Sequence, residues 1–311
     1  IFVSIYGRRQ LFLFEMSIDQ RCLAATYDLK INVIDLSSLE IYQQYEVNNS
    51  QVNRICVDNT RFYAATYSNL IAFDLKNADK KPIITLPAHD SNVIDLAISP
   101  QTLFTCGEDK LIKCWDRRSI KVENTFTLSD PVNAIALSPD GSCLFSGTES
   151  GELTFWDLRN GNVAMKIIDR KSPIRSLSMH PTNQTLLVGY MDGTAIQFQI
   201  TENTLKQNFE LNCNNEILLR CVTSPDGNLL ATAGGENLVK IWNANTGNLI
   251  KSIQCGDKTE WIWDVAFTKD SQNIVTGCSN GDIKVLECTT GNSICQIPQL
   301  PKCISAIGLI S

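Results

Sequence analysis

The sequence is poor in the residues and motifs on which most enzymes depend. It has only two histidines among its 311 residues, and it lacks a phosphate-binding loop, an H-E-x-x-H helix and a glycine-rich dinucleotide motif. No apolar run approaches the ~20 residues that a transmembrane helix needs, and the apolar residues 1–16 have no cleavage site after them. These absences predict a soluble protein that is not an enzyme and that binds no cofactor, metal or small-molecule substrate.

Positive charge is scarce as well. Lysine and arginine number 27 against 33 aspartates and glutamates, so the formal net charge is −6. A nucleic-acid-binding protein normally presents a basic face to the phosphates, but the densest basic runs here are short, such as Arg117-Arg118 and Arg170-Lys171. We therefore expect protein partners rather than nucleic acid, and no insertion into a membrane.

Cysteine pairs with the spacing of a metal or redox site are also missing. None of the twelve cysteines forms a C-x-x-C pair, and most lie inside apolar strand-like runs, as Cys106, Cys143 and Cys278 do. Zinc ribbons and disulfide frameworks instead gather cysteines near turns. The cysteines are therefore expected to be reduced and buried, which favours a cytoplasmic protein.

What the sequence does contain is an internal repeat. Seven segments share one pattern. Each begins with a short apolar run, continues through a polar turn, and finishes with an alternating run. The last two residues of that alternating run are an aromatic or aliphatic residue and a polar one. The terminal pairs are Ile34-Asp35, Phe73-Asp74, Trp115-Asp116, Trp156-Asp157, Phe198-Gln199, Trp242-Asn243 and Leu286-Glu287. Successive pairs lie 39, 42, 41, 42, 44 and 44 residues apart.

This repeat resembles that of the WD-repeat β-propeller family, in which a period of about 40 to 45 residues with a Trp-Asp signature forms one four-stranded blade. The alternation within each segment and turns such as Asp192-Gly193 agree with strands joined by hairpins. We therefore predict an all-β, seven-bladed WD-repeat β-propeller that forms a single domain over residues 1–311. An eight-bladed or tandem arrangement is the alternative.

The repeat frame also sets the expected blade boundaries. The blades are predicted near residues 11–46, 52–87, 93–128, 132–169, 174–210, 218–254 and 263–298, with 304–311 as an additional or ring-closing strand. Both 11–19 and 304–311 fit the frame of an inner strand, so one of them closes the ring or belongs to something longer. The missing initiator methionine also suggests a chain cut from a longer one.

The third repeat alone holds a complete polar set, formed by His89, Thr105, Asp109 and Trp115. A histidine, an acid and a hydroxyl could form a nucleophilic triad. In a WD-repeat frame, however, the set resembles the family's structural tetrad, in which the Asp orients the His and the His bonds the Thr and Trp in series. Because Thr105 falls within a strand rather than on an exposed, strained turn, we predict the structural role.

Two W-D-x-R matches offer one hypothesis about partners. They place Arg118 and Arg159 two residues after a Trp-Asp pair. This pattern resembles that of the WD-repeat substrate receptors of cullin-RING ubiquitin ligases, in which the Arg contacts the adaptor. An Arg just past a strand end is also ordinary, so the two residues remain alternative adaptor-binding candidates.

Three stretches carry a more specific resemblance. They are "SQVNRICV" with "AATYSNLIAFDL", "TCGEDKLIKCWDRRS" and "WIWDVAFTKDSQNIVTG". They resemble the G-protein-β-subunit-like propeller subunits of the target-of-rapamycin (TOR) kinase complexes. The resemblance implies a noncatalytic, cytoplasmic subunit, associated with membranes only through its complex, that docks on the kinase domain and holds it in an active arrangement. A generic scaffold domain of a larger protein is a further alternative.

Carried onto this chain, the same resemblance implies that Gln51, Asn92, Trp261 and Trp263 contact the kinase. All four lie where inner strands of the second, third and seventh blades begin, which is one rim of the disc. Large aromatic residues at such a rim are the type that anchors interfaces. We expect Trp263 to be the more buried of the pair and Trp261 to meet the kinase.

Overall fold

The chain folds into seven four-stranded sheets. A computed structural model describes residues 21–47, 50–58, 60–77, 79–201, 204–213, 216–297 and 300–310. Over these ranges every regular element is a strand except a 3-10 turn at Gly235–Asn237, and no helix could cross a membrane. All strand pairs are antiparallel, as in β-hairpins that follow one another along the chain. The prediction of an all-β, seven-bladed propeller is confirmed.

Each blade contributes one strand to each of four concentric layers. The inner strands are β4 (Arg54–Val57), β8 (Val93–Ile98), β12 (Val132–Leu137), β16 (Ile174–Met179), β20 (Leu218–Thr223), β24 (Ile262–Phe267) and β28 (Ile304–Ile310). The second strands are β1 (Arg21–Thr26), β5 (Arg61–Ala65), β9 (Thr102–Gly107), β13 (Cys143–Thr148), β17 (Thr185–Tyr190), β21 (Leu229–Gly234) and β25 (Asn273–Cys278).

The third and outer strands complete the blades. The third strands are β2 (Lys30–Asp35), β6 (Asn69–Asp74), β10 (Leu111–Asp116), β14 (Glu152–Asp157), β18 (Thr194–Ile200), β22 (Leu238–Asn243) and β26 (Ile283–Glu287). The outer strands are β3 (Ile41–Glu46), β7 (Ile84–Pro87), β11 (Lys121–Thr127), β15 (Asn162–Ile168), β19 (Leu205–Asn212), β23 (Leu249–Gln254) and β27 (Ser293–Ile297). Blade 1 is β28-β1-β2-β3, and blades 2 to 7 are the successive sets of four from β4 to β27.

Strand β28 closes the ring by taking the inner position of blade 1. It pairs antiparallel with β1, where Thr26 lies opposite Ile304. The contact with blade 2 is close, because a Cβ on Gly308 would lie 2.8 Å from Val57 Cγ2. The competing inner strand predicted at 11–19 lies outside the described residues.

The core lies between the blades rather than inside any one of them. Second and third strands such as β13 and β14 are buried over four or more consecutive residues, because neighbouring blades cover both faces of each sheet. Between blades 1 and 2, the rings of Tyr45, Phe62 and Phe73 meet with centroids 4.9 to 5.0 Å apart. These contacts between blades explain why the second strands are short apolar runs in the sequence.

The strand directions define two faces of the disc. Inner strands begin at the face that we call the upper face, and the turns between second and third strands lie there too, since Thr26 at the end of β1 faces Ile304 at the start of β28. Third strands end at the lower face, where Asp35 pairs with Arg21 at the start of β1. Any residue can therefore be placed on one face from its position in the repeat.

The twelve cysteines are free thiols, and eight of them are buried. Burial raises the pKa of Cys213 and of Cys221 to about 12 in each case. These side chains therefore stay protonated at neutral pH and act as small apolar residues of the core.

Candidate functional site

A cavity on the upper face lies where the seven inner strands begin, at the mouth of the central channel that these strands surround. It has a volume of about 180 Å³, and every blade contributes at least one side chain near the start of its inner strand. These side chains are Asn53, Ile94, Asn133, Arg175, Leu219, Trp263 and Ser305. Tyr27 and Gln51 line it as well, so the cavity continues onto the upper face.

A buried ion network centred on Asp264 lies beside this ring. The Asp264 carboxylate accepts two hydrogen bonds from Arg54 Nη1, at 3.0 and 3.1 Å, and its Oδ1 lies 3.2 Å from Arg220 Nε. The backbone N–H groups of Val265 and Ile307 also donate to it, at 2.9 and 2.8 Å. One carboxylate thus ties blade 7 to blades 1, 2 and 6.

Asp95 extends the network into blade 3. Its Oδ1 lies 3.2 Å from Arg54 Nε, and its Oδ2 accepts a hydrogen bond of 3.0 Å from the N–H of Ile135. Burial raises the pKa of Asp95, and the charge of Arg54 opposes that rise. Burial alone would lower the pKa of Arg54, but Asp264 and Asp95 together raise it above its ordinary value. The buried charges therefore depend on one another for stability.

The two tryptophans at the start of blade 7 lie side by side. The ring centroids of Trp261 and Trp263 are 5.6 Å apart with planes tilted by 49°. Trp261 directly precedes β24, and Trp263 lies at a register shift within that strand. Both side chains are partly buried, and which of the two is the more buried remains a prediction. Trp263 lines the channel mouth. The Trp261 backbone N–H donates to the Ser279 hydroxyl in the neighbouring turn, and the Ser279 N–H donates to the Trp261 carbonyl.

The other two predicted contact residues lie on the same upper face but not together. Gln51 is exposed and lines the channel mouth with Trp263. Asn92 is partly buried, and its Nδ2 donates a 3.0 Å hydrogen bond to Glu108 Oε1 in the next turn of blade 3. The structure therefore brings Gln51 and Trp263 into one cavity, whereas Asn92 lies in a different local contact.

The alternative adaptor-binding residues lie on the lower face. Arg118 and Arg159 are exposed just after third strands β10 and β14. Arg159 forms two hydrogen bonds with Asp157, of 2.8 and 2.9 Å, whereas the Arg118 side chain has no such partner among the described residues. The two hypotheses about partners thus involve opposite faces, and each can be tested without disturbing the other.

In blade 3 the structure joins His89, Thr105, Asp109 and Trp115 in series. His89 Nδ1 lies 2.8 Å from Asp109 Oδ1, His89 Nε2 lies 2.7 Å from Thr105 Oγ1, and Trp115 Nε1 donates to Thr105 Oγ1 at 2.9 Å. Burial lowers the pKa of His89 although the hydrogen bond to Asp109 opposes this, so the ring is neutral at pH 7. Because Thr105 is 0% exposed, no substrate can reach its hydroxyl.

The run Gly277–Gly281 also matches the G-x-S-x-G pattern of a nucleophile elbow. In hydrolases that pattern forms a strained turn from a strand into a helix, whereas here it joins antiparallel strands β25 and β26. The Ser279 hydroxyl accepts the N–H of Trp261 at 3.0 Å, and both histidines belong to other blades. The match is therefore a hairpin turn of the repeat.

Two exposed tyrosines on the upper face were not among the predicted residues. Tyr27 is 37% exposed and Tyr67 is 60% exposed, and each begins the turn between the second and third strands of its blade. Tyr27 also lines the channel mouth. The shared run "AATY" in the first two repeats was the signal that could have identified them.

A comparison with known families agrees with this architecture. Residues 45–285 match the family model described as nucleolar protein 10-like, N-terminal domain, which is a β-propeller. This chain belongs to that propeller family. The predicted membership of the WD-repeat β-propellers is thereby confirmed, because the match spans most of the seven repeats.

Among curated proteins, the chain is similar to subunits named for the TOR complex. It is 27% identical to the LST8 homolog of Drosophila melanogaster over 231 residues, which are 71% of this chain and 73% of that protein. It is 27% identical to the target of rapamycin complex subunit wat1 of Schizosaccharomyces pombe over 62% of this chain and 65% of that protein. It is 28% identical to the target of rapamycin complex subunit LST8 of Bos taurus over 69% of this chain and 71% of that protein.

Proposed function

We propose that this chain is a noncatalytic propeller subunit of a TOR complex that binds the TOR kinase domain and stabilises it. The similarity to relatives named as TOR complex subunits supports the class of assembly. The observation that carries the proposal is the pair Trp261 and Trp263, which lie 5.6 Å apart and partly exposed on the upper face. We place the subunit in the cytoplasm, at membranes only through its complex.

The contact surface is formed by blades 7, 1 and 2, which are neighbours in the closed ring. Trp261 and Trp263 belong to blade 7, Tyr27 to blade 1, and Gln51 and Tyr67 to the upper face of blade 2. Aromatic side chains with an apolar body and a polar tip are enriched where proteins bind one another. One partner could therefore cover all five side chains without reaching across the disc.

Affinity purification with the full chain tests the proposal. The tagged chain is expressed in cells that contain its native partners, and the captured proteins are identified by mass spectrometry. We expect a TOR-type kinase to be captured, and we expect Trp261→Ala with Trp263→Ala to lower that capture by about tenfold or more, as loss of an aromatic anchor does.

The matched control is Arg118→Ala with Arg159→Ala, which alters the opposite face and is expected to leave kinase capture unchanged. Circular dichroism and thermal unfolding of both double variants show whether each is folded. Capture of a cullin-RING adaptor in place of a kinase, lost in the arginine variant and kept in the tryptophan variant, would refute the proposal.

A further inference from the structure

Several buried hydrogen-bond donors at the channel mouth have no acceptor among the described residues. Arg175 Nε and Trp263 Nε1 are buried there without a hydrogen-bond partner among the described residues. Arg54 Nε and Arg220 Nε lie 3.2 Å from Asp95 and Asp264, within ion-pair distance but without hydrogen-bond geometry. A buried donor without an acceptor is destabilising. A ligand that brings a hydrogen-bond acceptor into the cavity would therefore satisfy these donors.

The charges around the cavity favour an anion as that acceptor. Its lining includes three arginines and two aspartates, which give a formal charge of +1 in a chain whose net charge is −6. Arg54 and Arg220 each face a carboxylate, whereas Arg175 forms no ion pair with any described residue. One positive charge therefore lies at the mouth of the channel without a counter-charge from the described chain.

The size and position of the cavity indicate which class of anion it could bind. Its volume of about 180 Å³ is room for roughly six waters, which fits one acidic side chain. The single negative charge of a carboxylate balances the formal charge of +1 in the lining, whereas a phosphate monoester carries close to two negative charges at neutral pH. The cavity also continues to Gln51 and Trp263 on the upper face, so a side chain could enter while its backbone rests on the rim.

We propose that the channel mouth is a carboxylate-binding site that receives an acidic side chain of the protein docked on the upper face. The guanidinium of Arg175 pairs with this carboxylate, and the indole N–H of Trp263 donates to it. Such charge-assisted hydrogen bonds are stronger than neutral ones. The identity of the docked protein rests on the function proposed above, but the site itself can be tested on this chain alone.

The first experiment titrates the purified chain with sodium acetate, with sodium chloride at equal ionic strength as the reference. Indole N–H signals are followed by ¹H–¹⁵N NMR, and the Trp263 signal is identified by its loss in Trp263→Phe. We expect a saturable downfield shift of that signal. Arg175→Gln should weaken apparent acetate binding by about tenfold or more, whereas Arg118→Gln on the lower face should titrate like the parent.

Sodium phosphate replaces acetate in a parallel titration and should bind more weakly. The absence of an acetate-dependent shift at Trp263, an unchanged titration in Arg175→Gln, or tighter binding of phosphate than of acetate would each overturn the proposal. Thermal unfolding of Arg175→Gln shows that the variant is folded, as expected for a side chain whose Nε bonds nothing in the described chain.

The second experiment asks whether the partner supplies the carboxylate. Arg175→Glu should abolish capture of the partner, Arg175→Lys should retain part of it, and Arg118→Glu should retain all of it. Full capture by Arg175→Glu would overturn the role assigned to the partner even if acetate binds. If the parent chain captures no TOR-type kinase, the proposed function fails, and the acetate titration still decides the site.

Discussion

Blade 3 and the channel mouth both bury polar side chains, but they differ in how completely those side chains are paired. In blade 3, the side-chain donors of the network lie within 2.9 Å of their acceptor atoms, through the contacts His89–Asp109, His89–Thr105 and Trp115–Thr105. At the channel mouth, Arg175 Nε and Trp263 Nε1 are buried without an acceptor in the described chain. A closed network of the first kind stabilises a fold, whereas an open one of the second kind leaves groups available for a ligand.

The largest effect is expected from breaking the paired part of the channel network. Asp264→Ala leaves Arg54 and Arg220 buried beside an empty position, and it leaves the N–H of Ile307 without its acceptor. Removing one partner of a buried ion pair costs about 3 to 5 kcal/mol. Urea unfolding measures the loss, with the exposed Asp79→Ala as the control. A loss no larger than that of the control would contradict this assignment.

A smaller effect is expected from opening the network of blade 3. Thr105→Val removes the hydroxyl that His89 Nε2 and Trp115 Nε1 share. We expect the free energy of unfolding to fall by about 1 to 3 kcal/mol, because two buried polar groups lose a partner. Thr105→Ser keeps the hydroxyl and is the matched control, so equal losses in the two variants would show that the methyl group rather than the hydrogen bonds matters.

The same blade should make stability depend on pH. Because burial lowers the pKa of His89 in the folded state, the unfolded chain takes up a proton at a higher pH than the folded one. The contribution of His89 is therefore complete above pH ~6.5 and is lost as the pH falls toward the folded pKa. Unfolding free energies of the parent and His89→Gln between pH 7.5 and 5.5 measure the difference, and parallel curves would refute it.

The smallest effect on stability is expected at the channel mouth, where Arg175 has no ion-pair partner in the described chain. Arg175→Met removes a guanidinium whose Nε has no hydrogen-bond partner in the described chain. We expect the free energy of unfolding to change by no more than about 0.5 kcal/mol or to increase, while acetate binding is lost. Thermal and urea unfolding measure the change. A loss as large as that of Thr105→Val would mean that Arg175 is a structural residue.

The regular parts of this molecule were predictable because each lies within a single repeat. The spacing of the Trp-Asp pairs identified seven blades, and the members of the blade 3 network fall between His89 and Trp115 in one repeat. The channel network was not predicted, because Arg54 and Asp264 are 210 residues apart in sequence and meet only when the ring is closed.

Ring closure by β28 has a consequence for how the chain is made. Strand β1 is synthesised before its inner neighbour β28, which follows some 280 residues later, as the bond from Ser305 Oγ to Ala25 O illustrates. At about 5 to 20 residues per second, synthesis of that interval takes roughly 15 to 55 s. During this time no other described strand covers the inner edge of β1, and an unpaired strand edge promotes aggregation. Among the described blades, the first to be started is thus the last to be completed, and protection of a nascent β1 becomes part of producing this protein.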